Sequence, residues 1–184
     1  MTTIVQNGEP VLRAHADPIS DFGSPELLKT IDAMERILFE QPDGIGIAAP
    51  QIGISKQIFL VTSDVLDADA LDKRLEKNRH SPPKKRAVAR GEYIVCINPS
   101  FSKFSSKKNS DVDGCLSVRG YYGDVARPEK VSITYFDETG KKYTRGASGL
   151  LARVFQHEMD HLNGMLFIDR AKNIRLLEAE HGEV

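Results

Sequence analysis

Two histidines, with a glutamate directly after the first, form the most chemically suggestive pattern in the chain. His157, Glu158 and His161 make an H-E-x-x-H sequence. On a helix, residues four apart lie on one face a turn apart, so both imidazoles can bind the same divalent metal ion. The intervening glutamate can then act as general base toward a water molecule held by the ion. The pattern predicts a mononuclear metal hydrolase.

Such a site needs a third ligand, and Cys115, in a Gly-Cys-Leu-Ser sequence, is the candidate. One cysteine and two histidines leave a position of a tetrahedral metal open for water, as catalytic sites do. The alternative, an inert core thiol at Cys115, stays open on the pattern alone. Asp160 has two open roles, as a hydrogen-bond partner of a ligand or as a salt-bridge partner. Cys96 lies in an apolar run and is predicted to be a buried structural thiol.

A segment rich in glycine and alanine supplies the other groups that acyl hydrolysis needs. In residues 44–53 small residues alternate with isoleucine, which predicts a thin backbone ledge that another molecule can approach closely. Gln51, within this segment, offers a side-chain amide to a developing oxyanion. The backbone N–H of Leu116, directly after Cys115, is a second candidate donor.

The composition is typical of a soluble globular protein. Of 184 residues, 40% are hydrophobic and 28% charged, and 25 Lys and Arg against 26 Asp and Glu give a net charge of −1. This near-zero net charge does not indicate specific binding to nucleic acid or binding to membranes. No apolar run approaches the ~20 residues of a membrane helix, and the first residues lack a signal-peptide pattern. We expect a single catalytic domain over residues 1–184, free thiols and a cytoplasmic location.

Apolar spacing and capping residues predict two helices around these groups. A Ser-Pro-Glu sequence at 24–26 begins the first, and the Pro-Asp-Gly sequence at 42–44 ends it. The Ser-Gly pair at 148–149 begins the helix that carries both histidines, and the Asn-Gly pair at 163–164 ends it. The tail from Ala171 is also predicted to be helical.

Extended runs predict the strands. They are expected at 58–61, 93–97, 113–118, 131–136 and 142–145, with the last two forming a hairpin. Asn98 and Pro99 are expected to end the second of these strands. Residues 64–90 are predicted to form a surface insertion. Its basic loop at 84–90 is either solvated or a docking surface for an acidic partner.

Three segments, in this order, resemble the three sequence motifs of peptide deformylases. They are residues 44–51 (GIGIAAPQ), 113–117 (DGCLS) and 156–161 (QHEMDH). The resemblance extends from about residue 8 to residue 169. It implies an α+β fold in which antiparallel β-sheets surround a central helix that carries the third motif.

The resemblance also implies the reaction. Members of this family remove formate from the N-terminal formyl-methionine of new polypeptides, so nascent N-formyl-methionyl chains are the expected partners. One divalent ion, typically ferrous iron with zinc, nickel or cobalt able to substitute, would be held by Cys115, His157 and His161. The metal-bound water would attack the formyl carbon, and Glu158 would pass its proton to the leaving amine. Gln51 and the Leu116 N–H would stabilise the oxyanion.

Further motif positions are expected to bind the substrate. Gly46 would pair with the substrate backbone as an added strand does. The walls of the methionine pocket would include Ile45, Leu150, Arg153 (through its aliphatic stem) and Val154. The remaining substrate-binding positions would be Gly44, Asp113 and Gly114.

The chain departs from the family pattern at several positions. The second motif normally begins with Glu, and here Asp113 stands in its place. The Pro-Gly that often follows the motif is replaced by Arg119 and Gly120, and Tyr122 falls where some members have a substrate-facing Arg. These departures leave open how the peptide beyond methionine is recognised. Some members dock on the ribosome through a basic C-terminal helix. The tail here is acidic, so transient ribosome association would use the basic loop at 84–90.

Two other functions are alternatives. A metallopeptidase of the H-E-x-x-H type would cleave internal peptide bonds and usually uses His or Glu as third ligand, which Cys115 disfavours. A non-catalytic binding module would keep the fold without turnover, and the intact Gln51, Cys115 and Glu158 speak against it.

Overall fold

The structure is a computed structural model that describes residues 3–67, 71, 73 and 92–176. Helix α1 spans Pro25–Glu40 and helix α2 spans Gly149–Leu162. The strands are β1 (Gly46–Ala48), β2 (Ile58–Thr62), β3 (Tyr93–Phe104), β4 (Lys108–Gly114), β5 (Tyr121–Pro128), β6 (Lys130–Phe136), β7 (Lys142–Ser148) and β8 (Lys172–Leu176).

These strands form two antiparallel sheets. The five-stranded sheet has the order β1-β2-β3-β6-β7, and the three-stranded sheet has the order β4-β5-β8. Neighbouring strands are antiparallel in both sheets, and β6 and β7 form the predicted hairpin. The α+β fold class is confirmed.

Helix α1 begins as its sequence predicts. The Ser24 hydroxyl accepts a hydrogen bond from the Leu27 backbone N–H at 3.2 Å, and Pro25 occupies the first turn, where its missing N–H costs nothing. The apolar stripe is buried along the helix and comprises Leu27, Ile31, Met34, Ile37 and Leu38. This stripe packs against one face of the five-stranded sheet.

Strand β2 shows how the sheet separates the two helices. Alternate side chains of a strand point to opposite faces. Ile58 and Leu60 pack in the α1 core, whereas Phe59 and Val61 pack in the α2 core. Phe59 lies against Phe155 of α2, with ring centroids 5.9 Å apart. On its other side α2 is hydrogen-bonded to β5 of the second sheet, so it is the predicted central helix.

The predicted end of a strand at Asn98 and Pro99 is wrong, because β3 continues through them. Asn98 has a φ of 48°, and the pairing register shifts between Ile97 and Ser100. The Asn98 side chain donates to the Ile19 carbonyl at 2.7 Å and accepts from the Ile19 N–H at 2.8 Å. A β-bulge, fixed by this amide, carries the strand past the predicted stop.

Two other predicted elements are also wrong. Within the described residues, the tail from Ala171 begins with a strand instead of a helix, because β8 (Lys172–Leu176) pairs with β5, with Tyr121 opposite Leu176. The extended stretch predicted at 113–118 ends at Gly114, where β4 gives way to a turn. In the first case a distant partner strand decides the conformation, which local composition does not reveal.

Several predictions concern parts of the chain outside the described residues. They include most of the surface insertion at 64–90, its basic loop at 84–90 and the acidic tail at 178–183. The extent of the single domain, 1–184, stays a prediction. Among residues 3–67, 71, 73 and 92–176, no helix has the length and apolar character needed to cross a membrane.

Candidate active site

Helix α2 carries His157, Glu158 and His161, and the turn after β4 brings Cys115 beside them. The potential ligand atoms of Cys115, His157 and His161 all lie within 4.8 Å of one another. Cys115 Sγ is 3.3 Å from His161 Nε2, and the two imidazole centroids are 5.1 Å apart. This donor set suits one divalent metal ion. Cys96, by contrast, is fully buried in the α2 core, as predicted.

One buried atom beside this cluster fits a site for an ion and a water. Glu158 is 3% exposed, and its Oε2 has no hydrogen-bond partner within the described part of the chain. Leaving such an atom unpaired costs about 1–3 kcal/mol. A water held by an ion at the three ligand side chains would be the missing partner. The residues present therefore fit a metal ion.

The ring of His157 is oriented by Asp113. His157 Nδ1 lies 3.4 Å from Asp113 Oδ2, which leaves Nε2 as the nitrogen for the ion. Burial alone would raise the pKa of Asp113, but the hydrogen bond with His157 and the charge of Arg127 hold that pKa well below its usual value. Asp113 is therefore ionised, and the shorter side chain still reaches the imidazole.

A buried guanidinium joins Asp113 to Asp160. Arg127 is 2% exposed, and its Nε and Nη2 donate to Asp113 Oδ2 at 3.0 and 2.8 Å. Its Nη1 donates to Asp160 Oδ2 at 2.8 Å. Arg170 also pairs with Asp160, at 3.2 Å. Of the two roles left open for Asp160, the structure shows the salt bridge.

Arg153 contributes more than its aliphatic stem. It lines the cleft as predicted, but its Nε also donates to Asp113 Oδ1 at 2.6 Å. Its Nη2 donates to the carbonyls of Val125, at 2.8 Å, and Asp111. Arg153 thus fixes Asp113 from the side opposite Arg127.

The outer edge of β1 faces Glu158. The Ile45 carbonyl accepts from the Thr62 N–H at 3.0 Å, so alternation along the strand points the Gly46 backbone groups away from β2. A Cβ on Gly46 would overlap Glu158 Oε1 and lie 3.0 Å from Val154 Cγ1. Glycine is therefore needed here, and an extended chain can add to this edge.

Glu158 lies in a setting suited to proton transfer. Burial raises the pKa of Glu158 to about 7. A general base works best when its pKa lies near the pH of the reaction.

The amide of Gln51 is held with its nitrogen toward the ligand cluster. Its Oε1 accepts from the Ala48 N–H at 2.8 Å. Its Nε2 lies 3.5 Å from Cys115 Sγ and donates to Ser117 Oγ at 3.3 Å. Because both ends of the amide are engaged, its orientation is fixed, with Nε2 beside Cys115 Sγ.

These groups meet in one cleft of about 300 Å³. Every predicted substrate-binding residue lines it, namely Gly44, Ile45, Gly46, Asp113, Gly114, Leu150, Arg153 and Val154. Gln51, Cys115, Leu116, His157 and Glu158 line it as well. His161 is 1% exposed and is buried behind them. The ring of Tyr122 packs on Gly114, so close that a Cβ on that glycine would overlap the ring.

Sequence reasoning missed Arg127 and Ser117. Arg127 is 33 residues from Asp160 and 14 from Asp113, and no periodic pattern connects them. Ser117 ends the second motif two residues after Cys115, so its position was a usable signal. Its hydroxyl positions Gln51.

Comparisons with known proteins agree with one another. The model of the polypeptide deformylase family matches residues 1–176. The chain is 40% identical over 166 residues to Peptide deformylase 2 of Gloeobacter violaceus, covering 90% of this chain and 76% of that relative. A crystal structure of peptide deformylase from Plasmodium falciparum has a TM-score of 0.76 at 34% identity, covering 93% of this chain and 87% of that one. A class I type b peptide deformylase from Acinetobacter baumannii, solved with bound Met-Ala-Ser, has a TM-score of 0.73 at 34% identity, covering 92% and 99%.

Proposed function

The chain belongs to the polypeptide deformylase family of enzymes, and on that premise we propose that it hydrolyses the formyl group from the N-terminal formyl-methionine of new polypeptides. The observation that carries this proposal is the position of Glu158. It lies between the Cys115, His157 and His161 cluster and the open edge of β1. The Met-Ala-Ser bound by the Acinetobacter baumannii relative is a peptide of the kind that this reaction releases.

We propose one divalent ion at Cys115, His157 and His161, with ferrous iron as the first choice and zinc, nickel or cobalt as substitutes. A thiolate with two imidazoles suits all four ions, and the family resemblance favours iron. When bound, the ion would act as a Lewis acid that lowers the pKa of water and polarises the formyl oxygen. Asp113 would keep His157 in the ligating tautomer.

The open edge of β1 would orient the substrate. The outward-pointing backbone groups of Gly46 would hydrogen-bond to the peptide, which adds to the sheet as a further strand. The methionine side chain would enter the apolar part of the cleft formed by Ile45, Leu150, Val154 and the stem of Arg153. Gly44, Gly114 and Asp113 would complete the walls of this seat.

Glu158 would move the proton. Its buried carboxylate would take a proton from the attacking water and deliver it to the amine that leaves as the formyl C–N bond breaks. The Gln51 side-chain amide and the Leu116 backbone N–H would donate hydrogen bonds to the oxyanion that develops on the formyl oxygen. Gln51 is already held for this task by Ala48 and Ser117.

The decisive experiment measures formate release from a formyl-methionyl peptide together with metal content, before and after chelation. We expect formate release that chelation abolishes and that added ferrous iron restores. Cleavage of casein without formate release would favour a metallopeptidase, and neither activity would favour a binding module. We propose nascent polypeptides in the cytoplasm as the substrates, with transient ribosome contact through the basic loop at 84–90.

Replacing Cys115 by serine is expected to lower metal affinity by at least about tenfold, because changes to residues that only support ligands already cost about 10- to 100-fold. A serine hydroxyl keeps its proton at neutral pH, whereas a cysteine beside a metal loses it. Metal analysis after dialysis against a chelator gives the readout. Cys96→Ala is the matched control and should keep the wild-type metal content. Unchanged metal in Cys115→Ser would show that the ligand set is wrong.

A methyl group at Gly46 is expected to lower kcat/KM for formate release by about 100-fold, since small displacements of reacting groups have effects of this size. The added Cβ would overlap Glu158 Oε1 and crowd Val154. Gly146→Ala is the control, because a Cβ there meets no atom within 4 Å. Steady-state kinetics of both variants test this role, and wild-type kcat/KM in Gly46→Ala would remove Gly46 from the substrate seat.

A further inference from the structure

An ion pair spans the mouth of the cleft. Arg119, in the turn that follows Cys115, donates through Nη2 to Gln41 Oε1, and its Nη1 lies 3.5 Å from Asp43 Oδ1. Gln41 and Asp43 belong to the segment between α1 and β1. Asp43 and Arg119 both line the cleft that contains Glu158. The pair therefore connects the two walls between which a bound peptide would leave the site.

The pair is positioned but remains accessible. Gln41 Nε2 donates to the Ile37 carbonyl at 3.2 Å, which turns the amide oxygen toward Arg119. The side chains of Arg119 and Asp43 are nevertheless 46% and 54% exposed. A guanidinium has five N–H donors, so these two partners leave donors available to a third. A carboxylate likewise accepts more than one hydrogen bond.

The spacing between Gly46 and Asp43 places this ion pair beyond the methionine of a bound substrate. Gly46 adjoins Glu158, and Asp43 is three residues earlier in the chain. Three residues span at most about 10 Å, and one substrate residue in a strand spans about 3.3 Å. A peptide that adds to β1 in the antiparallel sense, as every described pair in this sheet does, runs from Gly46 toward Asp43 and brings its second and third residues to the pair.

We propose that Arg119 and Asp43 form a charge-balanced specificity site for the second and third residues of the substrate. This inference rests on the proposed function. With both charges present, an acidic side chain gains from Arg119 what it loses to Asp43, and a basic side chain does the reverse. The enzyme accepts new polypeptides of either charge because the two charges offset each other. Removing one charge converts a neutral rim into a selective one.

The test compares two peptides that differ only in charge at these positions, formyl-Met-Asp-Asp-Ser amide and formyl-Met-Lys-Lys-Ser amide. The wild-type kcat/KM values are expected to lie within about threefold of each other at low salt. Arg119→Ala should shift their ratio about two- to fivefold toward the lysine peptide, and Asp43→Ala should shift it by a similar factor toward the aspartate peptide. Both shifts should disappear in about 1 M salt, where the Debye length is about 3 Å.

Arg175→Ala is the matched control. Arg175 lies 3.5 Å from Asp124, the side chains are 53% and 29% exposed, and neither residue lines the cleft. This variant should keep the wild-type ratio. The double variant Arg119→Ala with Asp43→Ala should return to it.

The outcomes distinguish a specificity site from a purely structural role of the pair, and both from a failure of the proposed function. Equal losses of kcat/KM for both peptides, or shifts in the same direction in the two single variants, would refute the proposed specificity site. A wild-type enzyme that releases formate from neither peptide would instead overturn the proposed function.

Discussion

Replacing Glu158 by glutamine is expected to lower kcat/KM for formate release by about 10²- to 10⁴-fold, the range that general acid–base catalysis contributes. Glutamine keeps the shape of the side chain against Gly46 but does not accept and return a proton. Because Glu158 is outside the ligand cluster, the metal content should stay at the wild-type value. The measurements are steady-state formate release and metal analysis of the same preparations.

Two comparisons make the Glu158 result specific. Glu129→Gln changes a partly exposed glutamate that pairs with Lys107 and does not line the cleft, so its kcat/KM should be unchanged. Thermal unfolding of Glu158→Gln should show an intact fold. Loss of metal from Glu158→Gln would assign the residue to the ligand set. Retained activity with retained metal would require another base.

The sequence predicts those site residues that lie within short, recognisable segments of the chain. His157, Glu158 and His161 follow from one helical turn, and Cys115 and Gln51 lie in short segments whose small residues are unusual. Arg127 carries no such signal. Its function depends on β5 lying beside both β4 and α2, which is a property of the fold and not of any segment.

In the fold, too, features set by neighbouring residues are predictable and features set by distant residues are not. Helix α1 was predictable because Ser24 and Pro25 satisfy or remove its first N–H groups within the same turn. The passage of β3 through Asn98 was not, because the bulge depends on hydrogen bonds to Ile19, 79 residues away. Strand β8 likewise forms only because β5 offers it an edge. Local signals predict element starts, whereas distant partners decide bulges and edge strands.

Replacing Arg127 by leucine is expected to lower the free energy of unfolding by about 3–5 kcal/mol, which is the usual cost of removing one partner from a buried ion pair. Asp113 and Asp160 are 5% and 6% exposed, so solvent cannot take over from the guanidinium. For a protein of this size the loss corresponds to a fall in Tm of about 6 to 20 °C. Urea and thermal unfolding of metal-free protein measure it, because a bound ion would add its own stabilisation.

The cause of that loss is testable with a second substitution. If it comes from uncompensated negative charge, adding Asp160→Asn to Arg127→Leu should recover part of the stability, because one of the two buried charges is then gone. A loss caused by poor packing of leucine would not be recovered. The single variant Asp160→Asn closes the double-mutant cycle and isolates the Arg127–Asp160 coupling.

The same cycle bears on the metal site. Arg127 holds Asp113, and Asp113 in turn orients His157, so Arg127→Leu should also weaken metal binding by about 10- to 100-fold, as other losses of ligand support do. Asp160→Asn should not, because Asp160 contacts Arg127 and Arg170 and no ligand atom among the described contacts. Equal metal affinity in Arg127→Leu and the wild type would show that Arg153 alone suffices to hold Asp113. In that case the buried guanidinium would serve the stability of the fold and not the ion.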